Sequence, residues 1–154
     1  MEQTLDLTEL INKDVVNFNL TSTSKEEAIK ELTHLLFEKG AVSSKQEFLN
    51  DVFERENQGQ TGIGNGIAIP HGKSESVKKT MIAIGRSKVD LKWETIDDEP
   101  VHNVILFAVK AQDKNDLHLK LLAKIAGSLA DEDVCKRFKE AQKLTDVMRL
   151  FEEN

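Results

Sequence analysis

Val101-His102-Asn103-Val104-Ile105-Leu106-Phe107-Ala108-Val109 decides the fold. Its last six residues form the longest apolar run in the chain, too short for a membrane span of ~20 residues and long enough for a strand. A continuous apolar run of this length, rich in β-branched residues, predicts a central strand buried on both faces. Downstream, Leu117, Leu121, Leu122, Ile125 and Leu129 recur at helical spacing and predict a helix from about Asp116 to Leu129. Two shorter helices are expected near 131–140 and 145–151. Upstream, Leu91 and Trp93 lie two apart, as on an edge strand, and Met81 to Ile84 and Ile67 to Ile69 read as short strands, the latter closed by Pro70. Nearer the N-terminus, Asp14 to Leu20 reads as a strand. Ser24-Lys-Glu-Glu27 and Ser44 with Glu47 are capping-box starts of two helices, the first stopping at Lys39-Gly40 and the second fading between Arg55 and Gly59. Helices at both ends and strands between predict an α/β three-layer sandwich. The middle strands are too closely spaced for parallel crossovers, so the sheet is expected to be mixed.

The chain has 154 residues, with 21 Lys plus Arg against 27 Asp plus Glu, a net charge of −6. Nucleic-acid binding draws on excess Lys and Arg, so the balance argues against that class of partner. One cysteine, Cys135, forms neither an internal disulfide nor a multi-cysteine zinc site. It stands among Lys136, Arg137 and Lys139 without a glycine loop, the setting of a structural thiol. No H-E-x-x-H or C-x-x-C occurs, so no metal is expected, and no other cofactor is. The first twenty residues lack a signal-peptide pattern, and the expected location is cytoplasmic with no direct membrane insertion.

Residues Gly59 to Gly72 hold five of the eight glycines. Gly62, Gly64 and Gly66 give G-x-G-x-G followed by a strand, so the dinucleotide fingerprint fails in spacing and in context. Gly72-Lys73-Ser74 has Ile67 where a P-loop needs its first glycine. Of the four histidines, His34 lies mid-helix beside leucines and His102 opens the strong strand. His71 follows a strand, a proline and a glycine-rich loop, where a rigid scaffold presents functional side chains.

Thr61-Gly-Ile-Gly-Asn-Gly-Ile-Ala-Ile-Pro-His71-Gly resembles the active-site signature of the fructose/mannitol-type EIIA domains of the bacterial phosphoenolpyruvate-dependent sugar phosphotransferase system, most closely the fructose branch. Arg55-Glu56, Ala83-Ile-Gly-Arg86-Ser87, Leu91-Lys-Trp93, Pro100-Val101 and Asp116-Leu-His118-Leu-Lys-Leu-Leu resemble further motifs of that family. The resemblance implies a single type-2 EIIA domain over residues 1–154, its B and C partners on other chains, with a mixed sheet covered by helices on both sides. It implies a phosphotransferase component that accepts phosphate on His71 Nε2 from the HPr phosphocarrier and passes it to the cysteine of an EIIB domain, for fructose uptake, in transient association with a membrane permease. The alternative is a nitrogen-type EIIA that controls protein targets. His118 is then the second active-site histidine, Arg55 the cation beside the phosphoryl group, and Thr61, Gly62, Gly64 and Gly66 shape the phosphate pocket. Lys73 and Arg86 are candidates for its border. Neutral His71 needs its proton on Nδ1, given to a backbone carbonyl, and glycine amides are expected to form an anion nest. Ile63, Ile67 and Ile69 are candidates for an apolar docking rim.

Overall fold

The computed structural model describes residues 10–112 and 117–152, with the side chains of 117–119 and 151–152 outside the description. A 3-10 turn at Lys13–Val15 leads into β1 (Val16–Leu20), so the first predicted strand begins two residues late. Then come α1 (Lys25–Glu38), α2 (Lys45–Glu56), β2 (Gly62–Gly64), β3 (Ile67–Ala68), β4 (His71–Ser74), β5 (Met81–Leu91), β6 (Val101–Lys110), α3 (Leu117–Leu129), α4 (Glu132–Glu140) and α5 (Leu144–Glu152). The sheet runs β1-β5-β6-β3-β2, and β4 also pairs with β6. β1 is parallel to β5, β5 antiparallel to β6, β3 and β4 parallel to β6, and β2 antiparallel to β3, so the sheet is mixed as expected.

β6 is the central strand, and its alternation assigns the two faces. Val104, Leu106 and Ala108 pack with Ile29, Leu32 and Leu36 of α1 and Phe48 and Val52 of α2. Ile105, Phe107 and Val109 pack with Leu121 and Ile125 of α3, Phe138 of α4 and Val147 of α5. One strand therefore supplies both cores of a three-layer α/β sandwich.

The helix starts follow from their caps. Ser24 and Ser44 accept the backbone N–H of Glu27 and Glu47, both at 3.2 Å. Glu27 does not complete the reciprocal box on Ser24. It takes the N–H and hydroxyl of Thr23 at 2.9 and 2.8 Å instead, and these bonds, with Thr23's N–H first, hold its carboxyl below the usual range. At the other end of α1, Gly40 has φ +86°, and Ala41 and Gly40 return their N–H groups to Leu36 and Phe37. That is a Schellman stop, which favours glycine.

Two expectations need correction. The strand from Met81 continues to Leu91, because its pairing with β6 extends from Met81↔Ala108 to Leu91↔Val101 across an irregularity after Arg86. Trp93 falls beyond the strand, and its ring instead closes over the core. The glycine-rich stretch is a β-hairpin: β2 and β3 flank Asn65 and Gly66, whose φ values are +58° and +80°. Asn-Gly with both φ positive is the type I′ turn signal.

β3 and β4 share one register along β6, Ile67↔Asn103 and His71↔Phe107, both offset by 36. They are a single strand interrupted at Ile69-Pro70, where proline has no ladder donor to give. Gly72 turns its back to α2, and a Cβ there would lie 2.7 Å from Val52 Cγ2 and 3.1 Å from Phe48 Cε1. Both neighbours are fully buried, so Gly72→Ala is expected to destabilise the fold by about 1–3 kcal/mol in denaturant melts.

Candidate functional site

His71 opens β4, directly after the strand and proline that precede it in the sequence. The alternation that points Gly72 at α2 turns residue 71 toward the α3 side of the sheet. Arg55, in the last turn of α2, stands at the same edge. Both line two clefts. One, of about 360 Å³, also includes Gln60, Thr61, Ile63, Ile69, Leu122 and Ala126. The other, of about 310 Å³, includes Asp51, Glu54, Gln58 and Lys73. The first is an apolar wall with a cation and an imidazole, and the second is a mixed-charge groove.

His71 is half-buried, and its Nδ1 stands 3.4 Å from the carbonyl oxygen of Ile69. A carbonyl only accepts, so this contact is compatible with an imidazole that carries its proton on Nδ1. The Ile69 peptide is itself held, because its N–H donates to the Thr61 carbonyl at 2.9 Å. Arg55 donates from Nη1 to the Gly59 carbonyl at 3.3 Å, which bends its guanidinium toward the connection after α2. Neither Glu54 nor Glu56 captures it as a helix-end ion pair among the described contacts.

Glu56 turns inward instead. It lies at the end of α2 with its side chain 4% exposed, its Oε2 2.7 Å from Lys25 Nζ. Its Oε1 accepts the Thr61 hydroxyl at 2.5 Å, and Thr61 Oγ1 accepts Trp93 Nε1–H at 3.0 Å. Lys25 also meets Glu94 at 2.8 Å and lies 5.4 Å from the centre of the Trp93 ring. Burial alone would depress the Lys25 pKa; the nearby carboxylates of Glu56 and then Glu94 outweigh it and raise the value above the ordinary lysine range. Thr61 thus borders the cleft, but its single hydroxyl proton is given inward to Glu56 and is not available to an anion.

The glycines of the hairpin are placed differently from the expected nest. Gly62 N–H donates to the Glu94 carbonyl at 3.2 Å, and a Cβ there would collide with Thr95 at 2.1 Å from its Cγ2. Asn65 N–H donates to Asp97 at 2.9 Å, and the Gly66 carbonyl accepts from His102 and Asn103. The backbone bond from Asn65, then that from Glu99, holds the Asp97 carboxyl below the usual range. Asn65 and Gly66 line a separate polar hollow of about 430 Å³ with Arg86, Asp90 and His102. These glycines are a turn and a packing device, and Gly62, Gly64 and Gly66 are not among the residues lining either His71 cleft.

Of the two border candidates, Lys73 lines a His71 cleft and Arg86 does not. Arg86 donates from Nε to Asn103 at 2.8 Å and from its two terminal nitrogens to the carbonyls of Ala141 and Phe138 at 2.5 and 2.9 Å, tying β5 to α4. His102 bonds Asp90 at 2.6 Å, and His34 lies 3.5 Å from Glu38 on α1. The backbone of His118 is the second position of α3, one turn before Leu122 in the 118–122–126 row. Leu122 and Ala126 of that row line the His71 cleft, and the side chain of His118 lies outside the described residues. Among the described residues, no group of three or more His, Cys, Asp or Glu is placed to hold a metal ion. No described helix is long and apolar enough to cross a membrane.

Sequence reading missed Glu56, Lys25 and Trp93 as parts of one unit. The adjacency of Glu56 to Arg55 was visible, but the partners lie on three other segments. Of the proposed apolar rim, Ile63 and Ile69 line the cleft and Ile67 is fully buried in the core.

A family model, described as phosphoenolpyruvate-dependent sugar phosphotransferase system, EIIA 2, matches residues 9–154. Among curated relatives, a 2-O-alpha-mannosyl-D-glycerate-specific EIIABC component of Escherichia coli is 37% identical over 138 residues, covering 89% of this chain and 21% of that protein. A fructose-specific EIIABC component of Bacillus subtilis is 36% identical over 138 residues, covering 90% of this chain and 22% of that protein. The chain thus spans about a fifth of the length of these two relatives. Among solved structures, the nitrogen regulatory protein IIA-Ntr of Neisseria meningitidis superposes with a TM-score of 0.84 at 25% identity, over 93% of this chain and 97% of that one.

Proposed function

Because the chain belongs to the EIIA 2 family of the phosphoenolpyruvate-dependent sugar phosphotransferase system, we propose that it is a phosphocarrier that holds a phosphoryl group on His71 Nε2 between phospho-HPr and the cysteine of an EIIB domain. The observation that carries this reading is His71 itself. It is half-exposed at the sheet edge, its Nδ1 is turned to the Ile69 carbonyl, and it shares both of its clefts with Arg55.

The lone pair on Nε2 attacks phosphorus, the P–Nε2 bond forms, and the P–N bond to the donor histidine breaks. The proton on Nδ1 stays where the Ile69 carbonyl accepts it. Transfer onward reverses the event: the EIIB thiolate attacks and the P–Nε2 bond breaks, returning neutral imidazole. Such transition states spread charge over three equatorial oxygens, so positioning and electrostatic stabilisation are the protein's task. Arg55 supplies a permanent, forked cation, Lys73 a second charge on the groove side, and His118 a further donor from the start of α3. Ile63, Ile69, Leu122 and Ala126 form an apolar surface against which protein partners exclude water. The site acts in the cytoplasm, with the EIIB acceptor bringing it transiently to a membrane permease.

Fructose is the proposed sugar, supported by the resemblance of the His71 segment and by the B. subtilis relative. The test is transfer of labelled phosphate from the protein to a panel of EIIB domains, including fructose, mannitol and mannosylglycerate types. Transfer fastest to the fructose-type EIIB is expected. A second reading, a regulatory nitrogen-type EIIA, is favoured by the similarity to the N. meningitidis structure. Stable phosphorylation with no transfer to any EIIB would select it over the transport role.

A further inference from the structure

Burying a charged pair takes two ions out of water, and apolar residues of similar volume often stabilise a fold as well. The Lys25–Glu56 pair, with side chains 12% and 4% exposed, therefore calls for a reason besides stability. Its contacts supply one. An ionised carboxylate only accepts, so Thr61 must donate to Glu56, and Thr61 Oγ1 must in turn be the acceptor for Trp93 Nε1–H. Lys25 Nζ forms an ion pair with the other carboxylate oxygen at 2.7 Å and also meets Glu94. The orientation of the Thr61 residue is thereby fixed from its side chain.

Two chains of contact lead from this unit to the clefts. The Thr61 carbonyl accepts Ile69 N–H, and the Ile69 carbonyl stands against His71 Nδ1. Glu56 also ends the helix turn that carries Arg55, whose guanidinium bonds Gly59 within the same short connection to Thr61. His71 and Arg55, two of the groups that meet the phosphoryl group in the reading above, thus both connect to this one polar unit.

We propose that Glu56, held by Lys25, is a positioning residue for phosphoryl transfer: through Thr61 and Ile69 it selects the His71 tautomer with Nε2 unprotonated, and through the end of α2 it aims Arg55. The inference rests on His71 being the phosphoryl acceptor. Glu56 touches no reacting atom. Its removal lets Thr61 rotate, frees the Ile69 peptide and allows the ring proton to move to Nε2, where it blocks attack.

The test uses Glu56→Gln, which keeps the shape but introduces an amide that donates as well as accepts, and Thr61→Val, which keeps the shape and removes the hydroxyl. Ring nitrogen-15 shifts of His71 are read by NMR on the unphosphorylated chain at a pH where the imidazole is neutral. Phosphate uptake from phospho-HPr is timed separately. The expected result is a shift of His71 from the Nδ1–H form toward a mixture in both variants, with Thr61→Ser returning the wild-type signature. The maximal transfer rate should fall by up to about 100-fold, the scale of a small misplacement of reacting groups, with little change in the HPr concentration at half-maximal rate. Should Glu56→Gln fold poorly, the Lys25→Met/Glu56→Gln pair removes the unpaired ammonium and is read in the same way. Folded variants with wild-type ring shifts and transfer rates would overturn the proposal, whatever their melting temperatures. The ring shifts need no phosphate, so failure of the wild-type protein to accept phosphate would sink the functional reading without being confused with this result.

Discussion

His71→Ala is expected to abolish acid-labile phosphate incorporation from phosphoenolpyruvate, enzyme I and HPr, while the folded structure persists. The proposed chemistry requires a nucleophilic nitrogen at this position, and alanine supplies none. The fold asks less of the residue. Position 71 is held by backbone pairing with Phe107 and by Phe107 N–H donating to the Pro70 carbonyl at 3.0 Å, neither of which uses the imidazole. The half-exposed side chain faces the clefts, so its loss is expected to cost about 1 kcal/mol in denaturant melts, an ordinary mutational value. Incorporation by the variant equal to wild type would place the acceptor elsewhere.

Arg55→Ala is expected to slow transfer by roughly 100–1,000-fold, the scale seen when one preorganised donor to a developing anion is removed. Its described bond is a 3.3 Å contact to the Gly59 carbonyl at an exposed position, so the melting transition should move little. The separation of the two effects is the informative part. A residue that merely completes a helix end would lower stability and leave the transfer rate of the folded protein intact. Single-turnover rates measured beside thermal melts distinguish these outcomes, and unchanged rates with an intact fold would remove Arg55 from the site. Lys73 provides an internal comparison, because it borders only the groove side of His71.

The three-layer sandwich was legible because β6 advertises itself. Val104 to Val109 is apolar at every position, and only a strand covered on both faces can use all of them. The helices were legible from Ser24, Ser44 and their periodic leucines, since capping is local chemistry. The long β5 was not legible past Ile84: Arg86, Lys88 and Asp90 break the apolar pattern, and pairing with β6 keeps the strand going through a register irregularity. The glycine hairpin shows how one motif can support two local pictures. Glycines suggested amides gathered about an anion, yet Asn65-Gly66 carries the hairpin signal equally well. The bonds from Gly62 to Glu94 and from Asn65 to Asp97 depend on residues about thirty positions away. The polar unit below the site was hidden for the same reason. Lys25, Glu56, Thr61 and Trp93 come from four segments, and only the folded chain brings them together.

On the proposed reading, Nε2 of His71 takes the phosphoryl group. The most direct measurement is nitrogen-15 and phosphorus-31 NMR of the uniformly labelled protein, phosphorylated by phosphoenolpyruvate, enzyme I and HPr. One new phosphorus signal is expected, coupled to one ring nitrogen and assigned to His71 Nε2, with His34, His102 and His118 unmodified. Phosphate on any other residue, or on Nδ1 of His71, would contradict it.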